Sequence, residues 1–143
     1  MRFLRKTDEL LTGEFQMLVI GGAAACLAYG AKRTTTDIDL ARQPPDELQR
    51  ALELARIETG INVPVQFVGL FEPPYNYEER LIVLDQLQLS KLQIFIPDKH
   101  DLALMKTVRG YENDIQAIEE MHLEHPLGLE ILVERFMTEM TQA

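Results

Sequence analysis

The chain has 143 residues, 46% of them hydrophobic and 26% charged, which is typical of a globular protein with one core. Its apolar runs fall short of the ~18 residues that a membrane span requires, and its one cysteine excludes an internal disulfide framework. The formal net charge of −9 disfavours coverage of a long stretch of DNA or RNA, because phosphate neutralisation supplies most of that affinity.

The first quarter of the chain predicts a helix, a strand and a second helix. Residues 7–15 favour a short helix that is capped by Thr7 or Asp8. The compact apolar run at 17–22 ends in two glycines and indicates a buried strand. The alanine-rich residues 23–31 then indicate a short helix, so the chain turns directly from a strand into a helix at the glycines.

The middle of the chain continues the alternation of strands and helices. Residues 36–41 return to strand character, and residues 63–71 predict a third strand. Between them, residues 46–60 predict an amphipathic helix that closes at Gly60. The apolar face of this helix consists of Leu48, Ala51, Leu52 and Ala55.

The last part of the chain predicts two strands and two helices. Residues 81–89 and 91–97 have strand spacing, and we expect them to pair with each other. Residues 97–121 predict one long helix with Asp98 as its N-cap. Residues 126–140 predict a final helix, which we expect to pack through Leu129, Leu132, Val133 and Phe136.

This order of elements predicts an α/β (α+β) fold in which helices cover a mixed β-sheet. We expect residues 1–143 to form a single domain, because no linker or repeat divides the chain. Its core would occupy about 14–96, and a helical C-terminal part would occupy about 97–141.

Two aspartates on the second predicted strand are the first sign of chemistry. Asp37 and Asp39 lie two residues apart, so both carboxylates project from the same face of a strand. Ile38 and Leu40 then point into the core. Two neighbouring carboxylates repel each other unless a cation neutralises them, and Mg²⁺ prefers such oxygen ligands. The pair therefore favours a metal site.

The double glycine supplies the second sign. Gly21 and Gly22 lie where a strand turns into a helix, and without Cβ atoms they allow a ligand to approach the backbone closely. The N-terminus of the following helix favours phosphate. A run of basic and hydroxyl residues, Arg33 to Thr36, then leads to the aspartates. The order of these three features is a more specific sign of a phosphate- and metal-binding site than any one of them.

In this order the sequence resembles the minimal nucleotidyltransferases of the polymerase-beta-like superfamily, and especially bacterial proteins grouped with abortive-infection toxins of the AbiEii type. The shared pattern is an apolar strand, Gly-Gly, a short helix, Arg-x-Ser/Thr and Asp-x-Asp. It continues through residues 92–115, which are similar to the family's strand, Asp-Leu, Lys and Arg-to-Asp helix. The resemblance covers the chain from about residue 17 to about residue 121.

The resemblance implies a role for each matching residue. Asp37 and Asp39 would be catalytic and would bind Mg²⁺, and Lys106 would act with them. Asp114 would orient the long helix or its basic residues. The nucleotide would be bound by Gly21, Gly22, Arg33, Thr36 and Arg109.

The sequence departs from the family pattern at several positions. One extra threonine lengthens the spacer between Gly22 and Asp37. Gln66 stands at the expected place of the superfamily's third carboxylate, and Ala117 stands where the family has a second helical aspartate. An amide binds Mg²⁺ more weakly than a carboxylate and is no general base. Glu72, in the following loop, is one candidate to replace the missing carboxylate.

Simpler explanations remain open for the same residues. The glycines also suit a tight turn without a ligand. Asp37 and Asp39 also suit an edge strand with solvated carboxylates, or ion pairs with Lys32 and Arg33. Lys106 and Arg109, three residues apart, also suit a solvated helix face.

The resemblance implies an Mg²⁺-dependent transfer of a nucleotide from a nucleoside triphosphate to an RNA end, such as that of tRNA, or to a protein. It also implies a toxin of a toxin–antitoxin pair, with an antitoxin as partner. The alternative is a catalytically degenerate nucleotide-binding or protein-interaction module. The charged N-terminus, unlike a signal peptide, and the single Cys26 predict a cytoplasmic protein.

Overall fold

A computed structural model describes residues 1–32 and 37–141 of the chain. Arg33 and Thr36, which the resemblance assigns to nucleotide binding, lie outside the described residues. Of the described helices, none is long and apolar enough to cross a membrane.

A five-stranded mixed sheet forms the centre of the fold, which confirms the predicted fold class. Its spatial order is β3-β2-β1-β5-β4. The β1–β5 and β2–β3 pairs are parallel, whereas β1–β2 and β4–β5 are antiparallel. The strands are β1 (Phe15–Ile20), β2 (Ile38–Leu40), β3 (Val65–Phe67), β4 (Ile82–Val83) and β5 (Leu92–Ile96).

Helices pack around the sheet and enclose a continuous apolar core. The predicted face of the third helix, which ends at Gly60, is buried as expected. The helices are α1 (Arg2–Leu10), α2 (Gly21–Tyr29), α3 (Asp46–Thr59), α4 (Lys99–Arg109), α5 (Glu112–Glu124) and α6 (Leu129–Arg135). A 3₁₀ turn (Tyr77–Arg80) precedes β4, and a π-helical turn (Phe136–Met140) follows α6.

The first helix begins earlier than predicted, at Arg2, so Thr7 and Asp8 do not cap it. Both side chains are buried inside the fold. The Asp8 carboxylate accepts hydrogen bonds from the backbone N–H groups of Ser90, Lys91 and Leu92, and thereby fastens α1 to the start of β5. Burial acts to raise the pKa of Asp8, but these hydrogen bonds outweigh it and hold the pKa below its ordinary value.

The predicted long helix is two helices, α4 and α5, so that prediction is wrong. Gly110 takes a left-handed conformation with φ of 67° and ends α4. The predicted N-cap is confirmed, since the Asp98 carboxylate accepts a hydrogen bond from the Asp101 N–H at 2.8 Å. The break turns α5 back against α2 and α4.

The final helix does not pack through the four residues predicted. Leu129, Val133 and Phe136 are exposed, and Leu132 is only partly buried. Polar contacts hold this segment instead, because the Arg135 guanidinium donates to the carboxylates of Asp98 at 2.8 Å and Asp101 at 3.1 Å.

Candidate functional site

The second and third strands bring the two aspartates and Gln66 together. In the sheet register Asp39 lies opposite Ile20 on β1 and opposite Gln66 on β3. The Gln66 amide nitrogen donates to Asp37 Oδ2 at 3.2 Å and to Asp39 Oδ1 at 2.7 Å. Gln66 therefore stands beside both carboxylates, at the position that the sequence assigned to it.

Gly21 lies directly against this carboxylate pair. Its φ of +68° is in the left-handed region, which other residues rarely adopt, and a Cβ there would be 3.2 Å from Asp39 Oδ2. Gly21 also begins α2, whose N-terminus receives no side-chain capping hydrogen bond, and Gly22 follows in its first turn. The N–H groups of this turn therefore need another acceptor, and a phosphate oxygen suits them.

A cleft of about 490 Å³ lies between Asp39 and the helix α4. Gly21, Asp39 and Gln66 line one side of it, and Lys106 and Arg109 line the other. Four of the predicted site residues, Gly21, Asp39, Lys106 and Arg109, thus line one cleft, whereas Gly22 and Asp37 do not line it. The remaining lining residues are Ile20, Val68, Leu70, Phe71 and Glu72, together with Leu102, Met105 and Val108 on α4.

Lys106 is buried rather than solvated, so its simpler explanation is wrong. Only 4% of the residue is exposed, and its Nζ lies 3.5 Å from Asp114 Oδ1. Burial lowers the pKa of Lys106, and the neighbouring Asp114 carboxylate opposes that shift. A buried ammonium group next to a cleft is a strong local charge, because little water screens it.

Asp114 holds both basic side chains of the cleft. Its other oxygen lies 3.3 Å from Arg109 Nε, and it also accepts a hydrogen bond from the Tyr111 N–H. The Arg109 guanidinium stacks over the Tyr111 ring, 5.6 Å from its centroid, while remaining half exposed. Asp114 therefore fixes the Nε side of the Arg109 guanidinium, while more than half of the side chain stays exposed to a ligand.

Other residues named from the sequence have different surroundings. Glu72 lines the cleft, but no cluster of three or more His, Cys, Asp or Glu side chains suited to a metal occurs in residues 1–32 and 37–141. Glu72 therefore does not complete a three-carboxylate set. Ala117 is buried in the core cluster, and an apolar residue there is explained by packing.

The apolar walls of the cleft were missed by the sequence analysis. On α4, Leu102 and Met105 line the cleft together with Lys106 and Arg109, which are spaced at i, i+3, i+4 and i+7. That spacing defines one helix face, so the position of Lys106 in the sequence was enough to predict that Leu102 and Met105 line the same cleft. Phe71 lies in the loop after β3, because the strand predicted over residues 63–71 ends at Phe67, and it packs edge-on against Tyr77.

The oxygen atoms around Asp39 are of the kind that could hold Mg²⁺. Two carboxylates lie close enough to share one amide group, and a rotation of that amide presents its oxygen in place of its nitrogen. In the present arrangement the Gln66 NH₂ group offsets the charge of the two carboxylates. A Mg²⁺ ion held by one or two carboxylates shares its remaining positions with water and substrate phosphates.

A mixed sheet with glycines at the start of α2, an Asp-x-Asp strand and a basic helix across the cleft define a nucleotidyltransferase-like protein. Residues 2–143 match the family described as nucleotidyltransferase of unknown function (DUF6036), and the chain belongs to that family. No curated protein and no solved structure matches the chain.

Proposed function

We propose that this protein transfers a nucleotide from a nucleoside triphosphate to a hydroxyl group of an RNA end or of a protein, in a Mg²⁺-dependent reaction. One observation carries the proposal: Gly21, Asp39, Gln66, Lys106 and Arg109 line the same cleft. Membership of a family described as nucleotidyltransferases supports the reaction class.

The two sides of the cleft would bind different parts of the nucleotide. The N–H groups of Gly21 and Gly22 at the start of α2 would hold phosphate oxygens. Asp37 and Asp39 would hold the metal, and Lys106 and Arg109 would neutralise phosphate charge from α4. Arg33 and Thr36 remain proposed nucleotide contacts from the resemblance.

The reaction is a displacement at the α-phosphorus. The acceptor oxygen forms a bond to that phosphorus, the bond from the α-phosphorus to the bridging oxygen breaks, and pyrophosphate leaves with the electron pair. Gln66 cannot act as a base, and the proton of the acceptor hydroxyl passes to solvent. Bound Mg²⁺ would supply charge neutralisation at the phosphates. The chain itself contributes position and a charged cleft.

We further propose that this transfer reaction makes the protein a toxin. The resemblance to AbiEii-type proteins supports a toxin that modifies a tRNA end or a protein, with an antitoxin as its partner. The net charge of −9 is consistent with contact at one end of an RNA rather than along an extended duplex.

One observation favours a second function, a nucleotide-binding module that has lost catalysis. The Gln66 amide donates to both carboxylates and satisfies them without a metal. The same cleft would then bind a nucleotide through α2 and α4 and present it, or the domain around it, to a partner protein.

Calorimetry with Mg²⁺ and each nucleoside triphosphate tests both functions. We expect the wild type to bind a nucleotide only with Mg²⁺, and Asp37→Ala/Asp39→Ala to lose that binding by at least about tenfold. Asp85→Ala, an exposed aspartate in the loop between β4 and β5, is the matched control and should bind normally.

Transfer of a labelled nucleotide to total tRNA or protein then separates the two functions. Metal-dependent labelling that Asp37→Ala/Asp39→Ala abolishes would establish the transferase and eliminate the binding module. Saturable binding with no labelling of either acceptor would favour the module. Binding that survives in the double variant would disprove the assigned site.

A further inference from the structure

The last helix and the turn after it expose an apolar face that has no partner among the described residues. Leu129 is 74% exposed, Val133 52% and Met137 59%. The residues recur at i, i+4 and i+8, so they form one stripe over two turns rather than scattered surface positions. Contiguous apolar surface of this kind is typical of an interaction site.

Val133 and Met137 of this stripe, with Leu132 and Phe136, form one wall of an apolar groove of about 290 Å³. The floor is the side of α4 that faces away from the cleft, and Ile118 on α5 forms the opposite wall. The lining residues are Ala103, Leu104, Thr107, Ile118, Leu132, Val133, Phe136 and Met137. A groove bounded by two helices suits the apolar face of a third helix, since helices pack through such ridges and grooves.

Carboxylates flank the groove on both walls. At 100° per residue, Glu130 and Glu134 lie at the outer side of the α6 stripe, and Glu112 and Glu119 lie beyond Ile118 on α5. All four are exposed, and none takes part in an ion pair within the part of the chain that the structure describes. The flanks therefore present negative charge that is available to a partner.

The basic residue of α6 does not offset this charge. Arg135 faces inward, where its guanidinium is held by Asp98 and Asp101. A second copy of this chain would place four further carboxylates against the groove, in a molecule whose net charge is already −9. Like charges brought together in this way disfavour self-association.

We propose that the groove between α4, α5 and α6 binds an amphipathic helix of a partner protein, with leucine-like side chains in the groove and Lys or Arg along both edges. The apolar face fills the groove, and the basic edges meet Glu112, Glu119, Glu130 and Glu134. This interaction is independent of the nucleotide site, which lies on the other face of α4.

A synthetic leucine–lysine amphipathic helix, labelled for fluorescence anisotropy, is the probe for this surface. We expect saturable binding to the full chain and at least about tenfold weaker binding of a leucine–glutamate helix with the same apolar face. Val133→Ser/Met137→Ser should weaken the binding by about tenfold or more, because it removes exposed groove side chains without disturbing the core.

Two matched controls separate this surface from general stickiness. Ile57→Ser removes an exposed apolar side chain on α3, and Glu14→Lys/Asp85→Lys reverses two exposed charges at positions that do not line the groove. Both should bind within about twofold of the wild type, whereas Glu130→Lys/Glu134→Lys should bind at least about fivefold more weakly.

Three results would overturn the proposal. One is the absence of saturable binding by the leucine–lysine helix. Another is equal weakening by the groove and control variants. The last is a dimer in analytical ultracentrifugation that Val133→Ser/Met137→Ser dissociates, since the occupant would then be a second copy of this chain.

Discussion

Gln66 determines how the carboxylate pair behaves without a metal. Its NH₂ group donates to Asp37 at 3.2 Å and to Asp39 at 2.7 Å, so one neutral group bonds to both carboxylates. A cation would have to compete with this amide for the carboxylate oxygens. At the scale of one residue, we expect Gln66 to set how strongly Asp37 and Asp39 bind a metal.

The variant Gln66→Glu should convert the site into a three-carboxylate metal centre. Without Mg²⁺ the added charge repels Asp37 and Asp39 and removes both hydrogen bonds, so we expect the free energy of unfolding to fall by about 1–3 kcal/mol. With Mg²⁺ the loss should be recovered, and the affinity for the ion should rise by about tenfold. Thermal denaturation with and without Mg²⁺ measures both effects.

The control is Gln86→Glu, in the exposed turn between β4 and β5 at the opposite side of the sheet. It adds the same charge, and its stability should not depend on Mg²⁺. If Gln66→Glu were equally insensitive to Mg²⁺, the carboxylates would not form a metal site.

At the scale of elements, α4 connects three parts of the molecule. One side of it carries Lys106 and Arg109 in the cleft beside Asp39, and another side forms the floor of the apolar groove. Its first turn is fixed by Asp101, which is fully buried and accepts from Arg80 and Arg135. The orientation of the cleft therefore depends on the charges at the start of this helix.

The variant Arg80→Ala should destabilise the protein far more than the loss of a surface ion pair. Arg80 donates to Asp101 at 2.8 and 2.9 Å and also binds Glu139, so its removal leaves the buried carboxylate with Arg135 as its remaining basic partner. We expect a loss of about 2–4 kcal/mol in the free energy of unfolding, measured by urea denaturation.

Arg42→Ala is the matched control for this measurement. Arg42 pairs with Glu78 at 3.0 Å, but both side chains are more than half exposed. Water screens such a pair, so its loss should change stability by less than about 1 kcal/mol. Similar losses in the two variants would mean that the buried cluster does not hold α4.

The sequence predicted the parts of this fold that depend on short-range patterns. The strand before Gly21, the Asp-x-Asp strand and the Asp98 cap each have a local signal, and the structure has all three. The break at Gly110 was missed because a glycine inside a helical pattern costs only about 1 kcal/mol and does not by itself end a helix.

Features that depend on distant partners could not be predicted in this way. The three N–H groups that bind Asp8 lie more than 80 residues away along the chain, so a cap at its own helix was the natural local interpretation. The stripe on α6 has the period of a buried face, but periodicity does not say whether the same chain covers it. The candidate site residues were chosen by resemblance, and the presence of Gly21, Asp39, Lys106 and Arg109 in one cleft follows only from the fold.

At the scale of the whole molecule, a buried histidine makes the contact between α4 and the start of α6 sensitive to pH. His100 Nε2 accepts a hydrogen bond from the Gly128 N–H at 2.9 Å, where the chain enters α6, so the neutral ring carries its proton on Nδ1. Asp98 lies 3.9 Å from that nitrogen. Burial lowers the pKa of His100 below its ordinary 6.5, although the charge of Asp98 opposes the shift.

The lowered pKa predicts the sign of the pH dependence. Below 6.5 the unfolded chain binds a proton at His100 more readily than the folded chain does, so stability falls as the pH decreases from that value. Protonation also removes the acceptor of the Gly128 N–H, a loss of about 1 kcal/mol. The Asp8 carboxylate, whose pKa lies below its ordinary 3.8, contributes only at more acidic pH, so the two effects are separable.

The variant His100→Gln keeps an acceptor for Gly128 but cannot titrate. Urea denaturation between about pH 5 and pH 7.5 should show the wild type losing stability toward the acid end and the variant losing less. The difference between the two curves isolates His100, because all other titratable groups are common to both proteins. Parallel curves would mean that His100 is protonated equally in the folded and unfolded states, and that the hydrogen bond to Gly128 does not control its charge.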